Sequence, residues 1–401
     1  MNNKKNILIV TGLYTTPGSA SYSGIFIKDQ IKALSNYYNI FVVVPYFISL
    51  KKELKKPIKN YQKINGIHIH YIKYFSIILL ILSITKSLNI KYKNRIIKNK
   101  ISKNILKESK KLHKKFNFKL VHGHEVLIGD EASKIGKELQ IPSFLTIHSL
   151  YDYHIKMYDD TTIKKILYNV DQTTHLITVS NLVIKSYKNK INKLFNIIPN
   201  GYTKKNINSL PIEISRIIKN KIVFLFAGFL INLKKPILLI NSAISLKKNG
   251  YRNFVILVIG SGPQEKELKK IIKKENLTKI VLLLGDIFPK EMPSYFNCAD
   301  IVVQPSISES FSMVCLEGMA FGKPIICTTN TGISEYITNS IEGFIISPNS
   351  QKELTEKIQL FIDQPKLINK MSESALKKSR EFDLESITKK LIELYKNGRT
   401  K

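Results

Sequence analysis

The stretch Ala299-Asp300-Ile301-Val302-Val303-Gln304-Pro305-Ser306-Ile307-Ser308-Glu309-Ser310-Phe311-Ser312-Met313-Val314-Cys315-Leu316-Glu317-Gly318-Met319-Ala320 decides how this chain folds. Its first five residues end in Ile301-Val302-Val303, a short, branched, apolar run with the pattern of a buried strand. Pro305 and the Ser/Glu/Ser run stop the strand and open a loop. From Phe311 the apolar residues Phe311, Val314, Cys315 and Met319 recur at helical spacing, which predicts a helix starting within a few residues of Glu309. If it begins at Glu309, eight positions at about 100° place Glu309 and Glu317 roughly on one face, ~12 Å apart along the axis. The free N–H groups of such a helix end form an anion site suited to a phosphate or a sugar hydroxyl. An ordinary strand–loop–helix with two solvated glutamates is the plain reading of such a pair. What surrounds it argues for more.

The same strand–turn–helix alternation recurs in both directions. Ile7–Val10, Ile40–Pro45, Ile67–Tyr71, Leu120–Glu125, Pro142–His148 and Thr178–Ser180 read as strands before the midpoint. Ile222–Ala227, Phe254–Ile259, Val281–Leu284, Pro324–Cys327 and Gly343–Ile346 follow. Alternation with helical segments predicts parallel, doubly wound sheets. A chain of 401 residues with 44% hydrophobic content fits two such domains. Gly12, Gly18 and Gly24 after the first strand do not match the dinucleotide fingerprint, so nicotinamide binding has no support. Cys298, Cys315 and Cys327 form no CxxC pair and read as small core hydrophobes in a reducing compartment. Met1 to Lys5 lead straight into the first strand with no signal sequence visible.

The block around Glu309 resembles the Glu-x7-Glu signature of retaining glycosyltransferases with the GT-B fold, the large bacterial "group 1" or family-four set. Pro305-Ser306, Glu309-Ser310-Phe311-Ser312, Leu316-Glu317-Gly318-Met319-Ala320 and Gly322-Lys323-Pro324 carry the resemblance. Two loop glycines of the family pattern are Ser310 and Ser312 here, and one helix alanine is Gly318. The resemblance implies two Rossmann-like domains facing a central cleft. The acceptor-side domain is expected over 1–203 and the nucleotide-sugar donor domain over 204–384. The last helix, 385–401, is expected to pack back on the first domain.

The resemblance also assigns roles. Glu309 would sit by the donor sugar and Glu317 would accept hydrogen bonds from a ribose. The amides near Phe311, Ser312, Met313 and Val314, together with Lys234, would neutralise a departing diphosphate. Gly228 opens the turn after the first strand of the donor domain, and Gly260 belongs to a Gly-x-Gly-Pro turn. Near Gly285 similar enzymes hold the nucleotide base against backbone. His148, at a strand end, would face the acceptor or donor sugar, with His124, Gly12 and Gly24 on the acceptor side. A zinc site from His122, His124 and His148 lacks any added carboxylate or Cys spacing, and neither metal nor other cofactor is expected. Phe229 stands where relatives carry a phosphate-clamping Arg. Either Lys234 and helix-end amides suffice, or Phe229 packs under the sheet and Lys235 takes over the clamp.

The net charge of +33 is uneven. Residues 1–205 hold 35 Lys and Arg against 11 Asp and Glu, and the remainder 28 against 19. Phe75–Ile84 is the most apolar run, yet ten helical residues reach only ~15 Å, too short to span a bilayer. From Lys86 to Lys115 there are twelve basic residues and one acid, Glu108, with Ile90, Ile97, Ile101, Ile105 and Leu112 at approximate helical spacing. This pattern suits a monotopic contact with anionic lipid, with a buried apolar run and a solvated structural helix face as the alternative; His68 and His70 read as surface or packing residues.

The expectation is thus a cytoplasmic enzyme, peripheral on the inner face of the plasma membrane. It would move a sugar from a UDP-, GDP- or ADP-sugar to a lipid-linked or glycan acceptor in surface polysaccharide synthesis, with no specific nucleic-acid partner. A nucleotide-sugar 2-epimerase of the same architecture and a non-catalytic polyanion-binding relative are the rival readings.

Overall fold

The computed structural model describes residues 4–14, 24–48, 59–75, 90–155 and 157–398. The apolar run beyond residue 75 and Gly18 lie outside them. The chain divides into two compact units, Met1–Gly201 with Leu384–Lys401, and Tyr202–Asp383.

The first unit is built on eight strands: β1 (Asn6–Thr11), β2 (Asn39–Ile48), β3 (Tyr61–Ile64), β4 (Ile67–Phe75), β5 (Val121–His124), β6 (Ser143–Ile147), β7 (His175–Thr178) and β8 (Phe195–Ile197). Their order in the sheet is β3-β4-β2-β1-β5-β6-β7-β8. Ile7 to Val10 are fully buried, as a parallel strand covered on both faces requires. One edge departs from the wholly parallel sheet that the strand–helix alternation predicts: β3 pairs antiparallel with β4. The cause is local. Asn65 and Gly66 both adopt positive φ, the requirement of a two-residue type I′ hairpin turn.

Leu384–Asn397 and Ile90–Phe116 are among the helices that close this unit's core. Leu384–Asn397 lays Ile387, Leu391, Ile392 and Tyr395 against the residues of β1, β2 and the helix Ile25–Leu34. The long helix Ile90–Phe116 buries Ile101, Ile105 and Leu112 with Val10, Phe41 and Val43. Ile101, Ile105 and Leu112 of the expected stripe are therefore spent on protein and do not face lipid, whereas Ile90 at the helix start is 70% exposed. One of its lysines is spent as well. Lys98 is buried with its Nζ 2.5 Å from Asp130 Oδ1 and 3.0 Å from Glu131 Oε1. Burial alone would lower the pKa of this ammonium, but the two carboxylates raise it above the ordinary lysine value.

The second unit holds six parallel strands: β9 (Ile222–Ala227), β10 (Phe254–Ile259), β11 (Val281–Gly285), β12 (Ile301–Gln304), β13 (Ile325–Thr328) and β14 (Gly343–Ile346). They are ordered β11-β10-β9-β12-β13-β14. All six residues of β10 are buried, and Leu239, Ile240, Leu268, Leu354, Ile358 and Phe361 of the flanking helices close over the sheet. Each such side chain stabilises the unit by roughly 1.5–3 kcal/mol relative to leaving it exposed. The order in which the chain adds strands reverses between β9 and β12, and in the first unit between β1 and β5, while the strands stay parallel. Open parallel sheets bind ligands outside the carboxyl ends of strands at such switch points.

Candidate functional site

At the β9/β12 switch point, two loops bring Lys234 and Glu309 together. Lys234 precedes the helix Pro236–Lys248, which Pro236 can start because its missing N–H would have no intrahelical acceptor there. Glu309 lies five residues beyond β12. The two form an ion pair of 2.6 Å, with both side chains mostly buried. Glu309 Oε2 also accepts from Ser306 Oγ at 3.2 Å and Gln304 Nε2 at 3.4 Å. The backbone is held as firmly: Glu309 N donates to Asn330 O, and its carbonyl accepts from Gly332 N, each at 2.9 Å. Thr328 Oγ1 donates to Ser306 O at 2.7 Å. The carboxylate is thus positioned before any ligand arrives.

The helix following this loop is Met313–Ala320. Ser312 takes φ 89° and places its Oγ to accept from Cys315 N at 3.5 Å. The amides of Met313 and Val314 are first-turn donors with no intrahelical acceptor. Phe311 is buried against Tyr336 and Phe382, so it anchors the loop through its ring. Because the helix begins at Met313, Glu309 lies outside it, and the common helical face expected for Glu309 and Glu317 does not exist. Glu317 instead sits half-buried in the second turn. Burial pushes the Cys315 thiol up to about 12, which leaves it unreactive at neutral pH.

Gly228, Gly260 and Gly285 line up at the ends of β9, β10 and β11. Gly228 N donates to Ile259 O at 3.0 Å, and Gly260 N to Gly285 O at 2.8 Å. At Gly260, with φ 126°, an added Cβ would sit 2.0 Å from Gly228 O. Only glycine fits, and the strand ends present bare backbone to an incoming group. Phe229, next in line, is 54% exposed. It does not pack under the sheet, which removes one of the two readings of this position.

The first unit gathers its candidate residues at the β1/β5 switch. Gly12 follows β1 beside Ile128, and Gly24, with φ 80°, presses the start of the helix Ile25–Leu34 onto Leu13 O. His124 ends β5 and His148 follows β6. His124 Nδ1 and His148 Nε2 lie 3.1 Å apart, and the His148 ring meets Phe26 edge-on. Both imidazoles are buried, His148 to 7% exposure, so they stand inside this unit and do not project openly into a crevice. Burial lowers His148 to about 4 and His124 well below the ordinary value, the latter helped by its histidine neighbours. Both are neutral at physiological pH. His122 uses both ring nitrogens, one with Tyr395 OH and the other with Thr146 Oγ1 at 2.8 Å, leaving none for a zinc ion.

Sequence reasoning assigned no role to Gln304, Ser306 or Tyr395. Gln304 had a signal: an amide closing an otherwise apolar strand, here fully buried. Tyr395 had none, because its partner His122 is 273 residues away.

Residues 211–378 match the family described as glycosyl transferases group 1. Those residues belong to it. An uncharacterized glycosyltransferase of Methanocaldococcus jannaschii is 26% identical over 303 residues, covering 74% of this chain and 78% of that protein. The D-inositol 3-phosphate glycosyltransferase of Pseudarthrobacter chlorophenolicus is 30% identical over 144 residues, 35% of this chain and 34% of that relative. The Anabaena protein HepE, solved with UDP and glucose, superposes with a TM-score of 0.70 at 16% identity, covering 98% of this chain and 100% of that one. The fold is GT-B, two parallel-sheet α/β units, and the chain is a glycosyltransferase.

Proposed function

We propose that the chain transfers a glycosyl group with retention from a UDP-, GDP- or ADP-sugar to a lipid-linked or glycan acceptor in surface polysaccharide synthesis. The Lys234–Glu309 pair beside the glycine strand ends and the first-turn amides of Met313–Ala320 carries this reading. A diphosphate leaving group needs fixed positive charge and N–H dipoles where its negative charge develops. Lys234 and the amides of Met313 and Val314 supply both, with no metal required. Glu317 accepts from the ribose hydroxyls. The bond from the sugar's anomeric carbon to the diphosphate oxygen breaks as the acceptor oxygen bonds to that carbon on the same face. The Glu309 oxygens are already engaged by Lys234, Ser306 and Gln304, and the departing phosphate oxygen takes the acceptor hydroxyl's proton. Glu309 orients Lys234 and faces the sugar. His148 and His124, as neutral imidazoles, serve as hydrogen-bonding groups on the acceptor side, near Gly12 and Gly24.

The same reading places the enzyme at the cytoplasmic face of the membrane, held by the basic exposed side of Ile90–Phe116. Among the described residues no helix is long and apolar enough to cross a membrane. Calorimetry with UDP-, GDP- and ADP-sugars, on the wild type and Glu317→Ala, tests the donor assignment. The loss should be about ten- to over a hundredfold for charged hydrogen bonds to a ribose worth roughly 1.5–3 kcal/mol. Equal affinity in the variant would remove Glu317 from the site, and turnover of the donor without any acceptor into a new nucleotide sugar would favour an epimerase.

A further inference from the structure

Glu125 takes no part in the transfer steps above, yet it sits at the β1/β5 switch point, one residue beyond His124 at the end of β5. Its backbone adopts φ 67° and ψ 142°, a region that a residue with a side chain occupies only under strain. Consecutive residues of an extended strand send their side chains to opposite faces. The turn at Glu125 breaks that alternation, so His124 and Glu125 both reach the loop after β6. His124 Nδ1 meets His148 Nε2 at 3.1 Å, and Glu125 Oε1 accepts from Ser149 Oγ at 2.6 Å. Two neighbours at one strand end are thereby joined, side by side, to two neighbours at the next.

The rest of Glu125 is anchored as well. Its N–H donates to Thr146 O at 2.9 Å, its carbonyl accepts from Gly129 N at 2.7 Å, and Oε1 also accepts from Val126 N at 2.9 Å. Burial lowers the pKa of His148 and the Glu125 charge opposes that shift, as a carboxylate close to the ring must. Strain of this kind persists only where the surroundings over-determine it, and it collects at functional sites. We propose that Glu125 is a positioning residue for transfer, a role that rests on the acceptor-side reading of His148: through Ser149 it fixes the loop that carries this imidazole.

The test compares Glu125→Gly, Glu125→Ala, Glu125→Gln and Ser149→Ala in the full chain. The first readout needs no substrate: the proton and nitrogen NMR signals of the His148 ring, assigned with His148→Gln. Glu125→Gly, Glu125→Ala and Ser149→Ala should move those signals alike. Glu125→Gln keeps an oxygen for Ser149 and should leave them near their wild-type positions. The second readout is kcat for transfer from UDP-, GDP- or ADP-glucose to an alkyl diphosphate-linked sugar. Only glycine takes φ 67° without strain, so Glu125→Gly should have a higher thermal midpoint than Glu125→Ala. Both should nevertheless lose kcat equally, by about tenfold or more, with KM for the donor unchanged. Glu125→Gly combined with Ser149→Ala should fall no further than either alone, because the two act as one unit. Unmoved His148 signals in Glu125→Gly or Ser149→Ala, or kcat losses that follow the thermal midpoint, would overturn the positioning role alone. Full transfer by His148→Gln would overturn the acceptor-side reading and this role with it.

Discussion

Lys234 Nζ stands 2.6 Å from Glu309 Oε1, so the cation assigned to the donor diphosphate is already paired with the carboxylate assigned to the donor sugar. A bound diphosphate must share that lysine. Glu309 in turn is held by Ser306 and Gln304, so it keeps its place when the lysine turns toward phosphate.

Lys234→Ala should therefore cut transfer by a hundredfold or more, the effect of losing one preorganised donor in a dry site at about 3–4 kcal/mol. The loss should appear mainly in kcat. Rates of transfer and of donor hydrolysis would be compared between the two proteins; full activity in the variant would refute the diphosphate role.

Phe229→Arg tests the same charge from the other side. Because Phe229 is exposed, the substitution should change stability by no more than ~0.5 kcal/mol. A guanidinium there adds a bidentate phosphate donor. Turnover should rise, and a fall in turnover with unchanged thermal midpoint would show that the aromatic ring itself is needed.

Gly318 lies inside Met313–Ala320, where an added Cβ would sit 2.6 Å from Val302 Cγ2 on β12. Valine is stiff at χ1 and cannot swing aside. Gly318→Ala should gain about 1 kcal/mol of helix propensity but lose about 1–3 kcal/mol to overpacking. The net change should be destabilising. In a Val302→Ala background the same substitution should become stabilising, and unfolding free energies of the four proteins measure that coupling. Additive effects would mean the contact is not tight.

The buried histidines make stability depend on pH. His148 is lowered to about 4 and His122 to about 3, chiefly by burial, so the folded chain binds fewer protons than the unfolded chain below about pH 6.5. Their contribution is complete above that pH and is lost as pH falls toward those values, at about 1.4 kcal/mol per pH unit for each histidine. Asp130, raised by burial, acts in the opposite sense, so the informative quantity is the difference from a variant. Urea unfolding of the wild type and His148→Gln between pH 7.5 and 5 should show a shallower pH slope in the variant, by about one proton. Identical slopes would mean the imidazole is solvated.

Much of the fold was legible because a parallel strand covered on both faces must be a short apolar run. Ile7–Val10, Phe254–Ile259 and Ile301–Val303 announce themselves that way, and Pro305 with Ser306 announces the loop. The Asn65-Gly66 turn was equally local, yet Tyr61–Ile64, with lysine and glutamine at its centre, lacks the apolar run that marks a strand. The start of Met313–Ala320 was out of reach for another reason. Apolar spacing admits a start anywhere from Glu309, and the choice of Met313 rests on Ser312 accepting a positive φ while its hydroxyl caps the helix.

What sequence by itself determined was the alternation of strand and helix, the glycines where backbone approaches backbone, and the Glu309 block, all of which depend on residues within one turn or strand. Tertiary structure alone decided the partners of polar and charged groups. Lys98 was one of twelve like cations in its segment until Asp130 and Glu131 closed over it, and His148 was a strand-end histidine until His124 and Phe26 buried it. The apolar stripe of Ile90–Phe116 was equally suited to lipid or to a sheet until Phe41 and Val43 covered it. Such partners come from segments distant in sequence, and the free energy of a charge or an apolar face depends on what removes it from water, which no local pattern encodes.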